Sequence, residues 1–248
     1  MRNIVIEMCY DGTLYHGFQT QKNGITVQET VEKALSKLTG EKITIYGCGR
    51  TDAGVHALKY YFNFKTQSTI PADRFVYASR PFLPDDIVFK KSFEEESEFH
   101  SRYCIVEKTY MYRILNSEHC NPFYRNYSYF YPVKLDVTKM RKASQAIVGK
   151  KDFKCFMASG GQVKSTVRTI KSLEIRENGE FIEIYITADG FLYNMVRIIT
   201  GTLIYAGLGK LTYDDIEKAI EEKERTEVGV TVPPQGLFMY DIKYGKEF

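Results

Sequence analysis

In the first 115 residues the apolar positions change period repeatedly, and that order of periods restricts the fold more than any other feature of the chain. Residues 3–9 are mostly apolar and β-branched and run into Asp11-Gly12, as a strand entering a turn does. From Thr26 the spacing lengthens to a helical one: Val27, Val31, Ala34, Leu35 and Leu38 share one face, Thr26 with Glu29 makes a capping box, and Gly40 closes the helix. Strands over 43–46 and 60–64 flank a Gly-rich stretch at 47–57. A second helix is expected over 72–80, with strands over 86–93 and 108–115. This β-α-β-β-α-β order is the ferredoxin-like arrangement, which many RNA-binding modules share.

The second half echoes the first. A strand is expected near 127–131, a helix over 136–147, strands over 169–176 and 181–188, and helices over 194–205 and 214–222, the latter behind Thr212 as N-cap. A last strand covers 237–243. The chain of 248 residues is long enough for one large domain or two small ones. The expected layout is two related α+β halves, 1–120 and 121–248, with the junction between Leu115 and Tyr131 and no low-complexity linker between them.

Composition excludes several function classes. Cys9, Cys48, Cys104, Cys120 and Cys155 are scattered, without a C-x-x-C or a His at ligand spacing, so neither a disulfide framework nor a zinc site is indicated and a reducing cytoplasm is expected. The most apolar later stretch, 195–208, is interrupted by Arg197, Gly201 and Gly207, so neither secretion nor a membrane span is expected. Net charge is only +3, yet the block 139–171 sets nine basic residues against the single acid Asp152, while 214–227 sets seven acids against three bases. Such a basic block, with Lys150, Lys151, Lys154 and Arg168 inside it, can neutralise phosphates or be a solvated face. Aromatic residues are all Tyr (19) and Phe (16), a composition suited to base stacking.

The densest chemical signal is Cys48-Gly49-Arg50-Thr51-Asp52-Ala53-Gly54-Val55-His56-Ala57, a loop whose glycines allow backbone to approach a ligand closely. Read alone, Thr51-Asp52-Ala53-Gly54 is also a plain turn in which Asp52 satisfies backbone N–H groups. The segment 49–57 resembles the signature loop of the tRNA pseudouridine synthase A family, and the likeness continues along the chain. It takes in Tyr10-Asp11-Gly12-Thr13-x-Tyr15-x-Gly17-Phe18-Gln19-x-Gln21, Thr26-Val27-Gln28-Glu29 and Leu83-Pro84-x-Asp86-Ile87. Phe99-His100-x-Arg102, Lys108-x-Tyr110-x-Tyr112, Phe191-x-x-x-Met195-Val196-Arg197-x-Ile199-x-Gly201 and Pro234-x-Gly236-Leu237 follow in family order.

The resemblance implies isomerisation of uridine to pseudouridine in structured RNA, with tRNA anticodon stem-loop positions 38–40 the expected target, no metal or other cofactor, and a homodimer. It implies two ferredoxin-like (RRM-like) halves with antiparallel sheets joined around a central positively charged catalytic cleft. Asp52 matches the family's essential aspartate, Tyr110 the tyrosine that lies against the uracil, and Arg197 the arginine that pairs with the aspartate. Arg50 matches an arginine implicated in displacing the target nucleotide. Thr51, His56, Arg80 and Arg102 join the expected RNA-contacting set, although His56 also reads as a structural histidine within the loop. Lys59, Tyr60 and Arg80 depart from the family pattern, which leaves open a paralogue acting on another RNA such as rRNA. A glycoside hydrolase would need a second carboxylate about 5 to 9.5 Å from the first, and none accompanies the loop. A non-catalytic RNA-binding module would leave Asp52, Tyr110 and Arg197 without a joint explanation.

Overall fold

The computed structural model describes residues 1–161 and 163–246. Its packing divides the chain into two compact units, Met1–Val106 together with the chain from Phe238 onward, and Glu107–Leu237. The first unit contains β1 (Arg2–Tyr10), α1 (Val27–Thr39), β2 (Ile45–Gly47), β3 (His56–Thr66), α2 (Phe75–Ala78) and β4 (Ile87–Glu95). The second contains β5, which begins just before the break (Ile105–Leu115), β6 (Tyr129–Phe130), α3 (Val137–Ser144), β7 (Gly149–Asp152), β8 (Val167–Asn178), β9 (Phe181–Ala188), α4 (Met195–Gly207) and α5 (Tyr213–Glu222). The chain then rejoins the first unit in β10 (Leu237–Tyr244). The expected break near residue 120 is therefore corrected in two places. β5 pairs with β9 from Lys108↔Ala188 to Leu115↔Phe181, so the break comes before that pairing, and β10 pairs with β3 at Phe238↔His56 and Met239↔Ala57.

The protein is α+β with mostly antiparallel strands. In the first unit β1 lies between β4 and β3, and the other edge of β3 carries β2 along Phe62–Phe64. Because side chains alternate across a strand, Ile4, Ile6 and Met8 share one face with their register partners Phe64, Phe62 and Tyr60. All six are fully buried, each such side chain stabilising by about 1.5–3 kcal/mol. Phe64 meets Phe75 of α2 edge-on at 5.5 Å, so the helix side of the sheet is this face. The opposite face is mixed: Val5 and Tyr61 are buried there, Asn63 bonds Asn3 at 2.9 Å, and these two asparagines hold the segment 96–101 by bonds to the Phe99 carbonyl and the Ser101 amide.

α1 is held as its sequence implies, with Thr26 accepting from the Glu29 amide and Gly40 ending it at φ 72°. The box is only half made, since the Glu29 carboxylate bonds Lys33. The helix expected over 72–80 is a four-residue α2 between two 3-10 turns, and Pro81, which has no N–H, keeps it from continuing. In the second unit the strand order is β5-β9-β8-β7, with every neighbour antiparallel. β7 was not legible in the sequence, since Gly149-Lys150-Lys151-Asp152 shows no apolar alternation. α4 is buried nearly all round, which is why its sequence is apolar without a polar face.

Candidate active site

The signature loop connects β2 to β3, and β3 begins at His56, inside the stretch expected to be loop. The N-terminal motif is what holds it. The Tyr10 hydroxyl and Thr51 Oγ1 are 2.9 Å apart, the Phe18 amide donates to the Thr51 carbonyl at 3.1 Å, and the Gly54 amide donates to the Tyr15 carbonyl at 3.3 Å. Burial pushes the Tyr10 phenol well above its ordinary range, so it stays neutral as a hydrogen-bonding group. Gly12 and Gly17 are required by close approach: a Cβ on the first would lie 2.0 Å from the Val55 carbonyl oxygen, and on the second, at φ 84°, 2.5 Å from that of Thr51.

Tyr60, an apparent departure from the family pattern, completes the support. It is fully buried, its ring stacks on Phe18 at 4.6 Å, and its hydroxyl donates to the Gly49 carbonyl. Two buried tyrosines thus grip the residues on either side of Arg50. The guanidinium between them is exposed and has no side-chain partner among the described residues. Asp52 follows, half-buried, in a turn closed by the Val55 amide on the Asp52 carbonyl at 3.2 Å. Thr51 and His56 are buried and their side chains serve the loop from within. His56 Nδ1 lies 3.0 Å from the Gly12 amide and 3.0 Å from the Asp11 carboxylate, and its ring stacks on Phe238.

In the second unit Tyr110 stands on β5, 8% exposed, with its ring edge-on to Phe191 at 5.0 Å. Tyr112, two residues on and on the same face, is fully buried and donates to the Pro233 carbonyl at 2.7 Å. Burial drives its phenol well above the usual range, with Arg197 opposing. Arg197 lies in the first turn of α4. Its Nε donates to the Val232 carbonyl and its Nη1 to Asn194 Oδ1, both at 2.7 Å, so the guanidinium is oriented rather than snorkelling. Asn194, at φ 59°, caps α4 in a left-handed conformation that Asn tolerates. The segment carrying Val232 packs backbone to backbone on α4, where a Cβ at Gly201 would lie 2.0 Å from the Val230 carbonyl oxygen. Tyr60 and Asn194 were missed as support residues because their partners are distant in sequence or defined only by the fold. Asn194, three residues before Arg197 on a helix start, was the more findable.

The basic block is partly neutralised in place, with four of its nine cations facing an acid. Lys139 faces Asp136, Arg141 bonds Glu177, Lys171 bonds Glu107, and Arg168 bonds the Ser165 and Val167 carbonyls. Lys151 donates to the Ala146 carbonyl at 2.7 Å and lies 3.8 Å from Glu217 of α5, and Lys223, just past the end of that helix, pairs with Asp152. Among the described residues Lys142, Lys150, Lys154 and Lys164 are exposed without a partner. In the first unit Lys59 pairs with Asp241 at 2.9 Å, Arg80 is exposed over the Tyr77 ring, and Arg102 is exposed beside Tyr103. The loop thus gathers Arg50, Thr51, Asp52 and His56, whereas Tyr110 and Arg197 belong to the second unit.

A carboxylate and a free guanidinium on one rigid loop, with an oriented arginine and a nearly buried tyrosine in the other unit, are groups suited to proton transfer and to holding an anionic substrate. The family model for tRNA pseudouridine synthase matches residues 8–104 and 143–245. The tRNA pseudouridine synthase A of Thermoanaerobacter sp. (strain X514) is 48% identical over 244 residues, covering 98% of this chain and 100% of the relative. That of Ruminiclostridium cellulolyticum is 49% identical over 245 residues with the same coverage, and the tRNA pseudouridine synthase A 2 of Clostridium tetani is 46% identical over 245 residues, 98% of this chain and 99% of the relative. This chain belongs to the tRNA pseudouridine synthase family.

Proposed function

We infer that the protein is an isomerase that converts uridine to pseudouridine in tRNA. The observation that carries the reading is the Asp52 loop, locked on both flanks of Arg50 and embedded in a family match along nearly the whole chain. The N1–C1′ bond of the target uridine breaks, the base turns over while held, C5 bonds to C1′, the C5 proton leaves and N1 gains one. Asp52 acts on the ribose or the base, Tyr110 takes the C5 proton, Arg197 supplies a fixed positive charge, and Arg50 occupies the place of the extruded nucleotide.

The target is the anticodon stem-loop at positions 38–40, and the working protein is a cytoplasmic homodimer. Each unit is a ferredoxin-like half. This is supported by the split β-α-β in both: β1 and β2 flank an antiparallel β3, and β5 and β8 flank an antiparallel β9. Each unit carries exposed cations for a polyanion, Arg50, Arg80 and Arg102 in the first and Lys150 and Lys154 in the second. Among the described residues no helix is long and apolar enough to cross a membrane.

Incubating the purified chain with an unmodified tRNA transcript and mapping pseudouridine tests this directly. Product at positions 38–40 is expected, product elsewhere reassigns the target, and none overturns the reading. In the same assay Tyr110→Phe retains the ring against Phe191 and loses the proton acceptor, so pseudouridine formation should fall by about 10² or more. Wild-type rate in this variant would assign Tyr110 to packing.

The free lysines give a separate expectation. Substituting Lys150 and Lys154 by Gln together should lower the slope of log K for tRNA against log[salt] by about 0.7–0.9 for each phosphate no longer neutralised. Lys151→Gln, already engaged with Ala146 and Glu217, should leave the slope as it is. An unchanged slope in the double variant makes these lysines a solvated face.

A further inference from the structure

The motif Phe99-His100-x-Arg102 has no part in the chemistry above, yet it builds an aromatic surface. Tyr46 on β2 is the register partner of Asn63 on β3, so its side chain emerges on the Asn63 face of the first unit's sheet, away from Phe62 and Phe64. The segment 96–101 lies across the same face, stapled to Asn3 and Asn63. There the rings of Tyr46 and His100 are 5.2 Å apart, those of His100 and Tyr103 4.4 Å apart, and the Arg102 guanidinium lies 5.9 Å from the Tyr103 ring.

The row is rigid at its centre and open at its ends. The Arg102 amide donates to His100 Nδ1 at 3.1 Å, and the His100 carbonyl takes the amides of Tyr103 and Cys104, each at 3.1 Å. Nδ1 is therefore an acceptor and the imidazole proton sits on Nε2. Partial burial and the Arg102 charge hold its pKa below the ordinary histidine range, which keeps the ring neutral. Tyr103 is 76% exposed and Tyr46 45% exposed. Exposed rings in a row, with a free guanidinium beside them on the sheet face opposite a helix, match the way sheet-borne aromatics stack bases of single-stranded RNA.

We propose that Tyr46, His100 and Tyr103 form a stacking platform for an unpaired base of the RNA substrate, with Arg102 on the adjoining phosphate. The proposal rests on the tRNA reading above and extends it to a second RNA-binding surface outside the catalytic loop. The chain has no tryptophan, so Tyr103→Trp supplies a single fluorescent reporter. Its emission should be quenched on titration with an unmodified tRNA transcript. Tyr103→Ala should weaken the Kd for that transcript at least about fivefold, while Tyr103→Phe, which keeps the ring, stays within about twofold of wild type.

Wild-type affinity in Tyr103→Ala, or an unquenched Tyr103→Trp, overturns the platform. So does a shift of Tyr103→Ala from dimer to monomer with unchanged RNA affinity, which would make this face a subunit interface. Pseudouridine formation by the wild type is measured on the same transcript. Its absence would overturn the functional reading, and the platform would still be decided by the affinity comparison.

Discussion

Asp52→Asn is expected to abolish pseudouridine formation in a tRNA transcript while changing tRNA affinity by less than about tenfold, roughly 1.4 kcal/mol. The substitution is nearly isosteric, and the loop around it is held by bonds that Asn leaves in place: Thr51 to Tyr10, Phe18 to Thr51, Gly54 to Tyr15, and Tyr60 to Gly49. What it removes is the ionised carboxylate that either catalytic role requires. A carboxylate contributes little to gripping a polyanion, so binding should survive. The variant should also unfold at the wild-type temperature, which separates a chemical from a structural loss. Measurable turnover would show that Asp52 is not the catalytic aspartate.

Gly12→Ala should remove both stability and activity, through a residue that carries no side chain of its own. Its Cβ would lie 2.0 Å from the Val55 carbonyl oxygen and 2.6 Å from its carbon, and both atoms are backbone that cannot rotate aside. Segment 12–18 and the loop must then separate, which breaks the Gly12 amide bond to His56 and strains the bonds to Thr51 and Gly54. Overpacking of this kind costs about 1–3 kcal/mol. A misplacement of about 1 Å at the reacting groups costs about 10²-fold in rate. Chemical denaturation and the transcript assay should therefore both register the change. Wild-type activity with wild-type stability would mean that the motif at 10–18 does not set the loop.

These two expectations differ in what could be read from the chain. The loop that carries Asp52 was legible because it keeps Arg50, Thr51, Asp52 and Gly54 within five residues, so their order survives as a linear motif. α1 was legible for a similar reason: its apolar spacing, Thr26 cap and Gly40 terminus are all local. The glycines of the N-terminal motif could be seen as a pattern, but their reason, close approach to Val55 and Thr51, lies about forty residues away along the chain.

Charge shows the limit most clearly. Nine cations against one acid between 139 and 171 read as a continuous patch, yet tertiary structure sets Glu107, Asp136, Glu177 and Glu217 against four of them and turns Arg168 onto carbonyls. Likewise Lys59 looked like a departure from the family pattern, and the fold makes it the partner of Asp241. By itself the sequence determined the mixed α+β class, the bounds of α1 and α5 and the loop that carries Asp52, because periodicity, caps and a contiguous loop are local properties. Only the tertiary structure decided where the units divide, which cations stay free, that Tyr10 and Tyr60 hold the loop at Thr51 and Gly49, and that Asn194 orients Arg197. Those depend on which distant residues share a strand register or a packed face, and distance in space is not encoded in neighbouring letters.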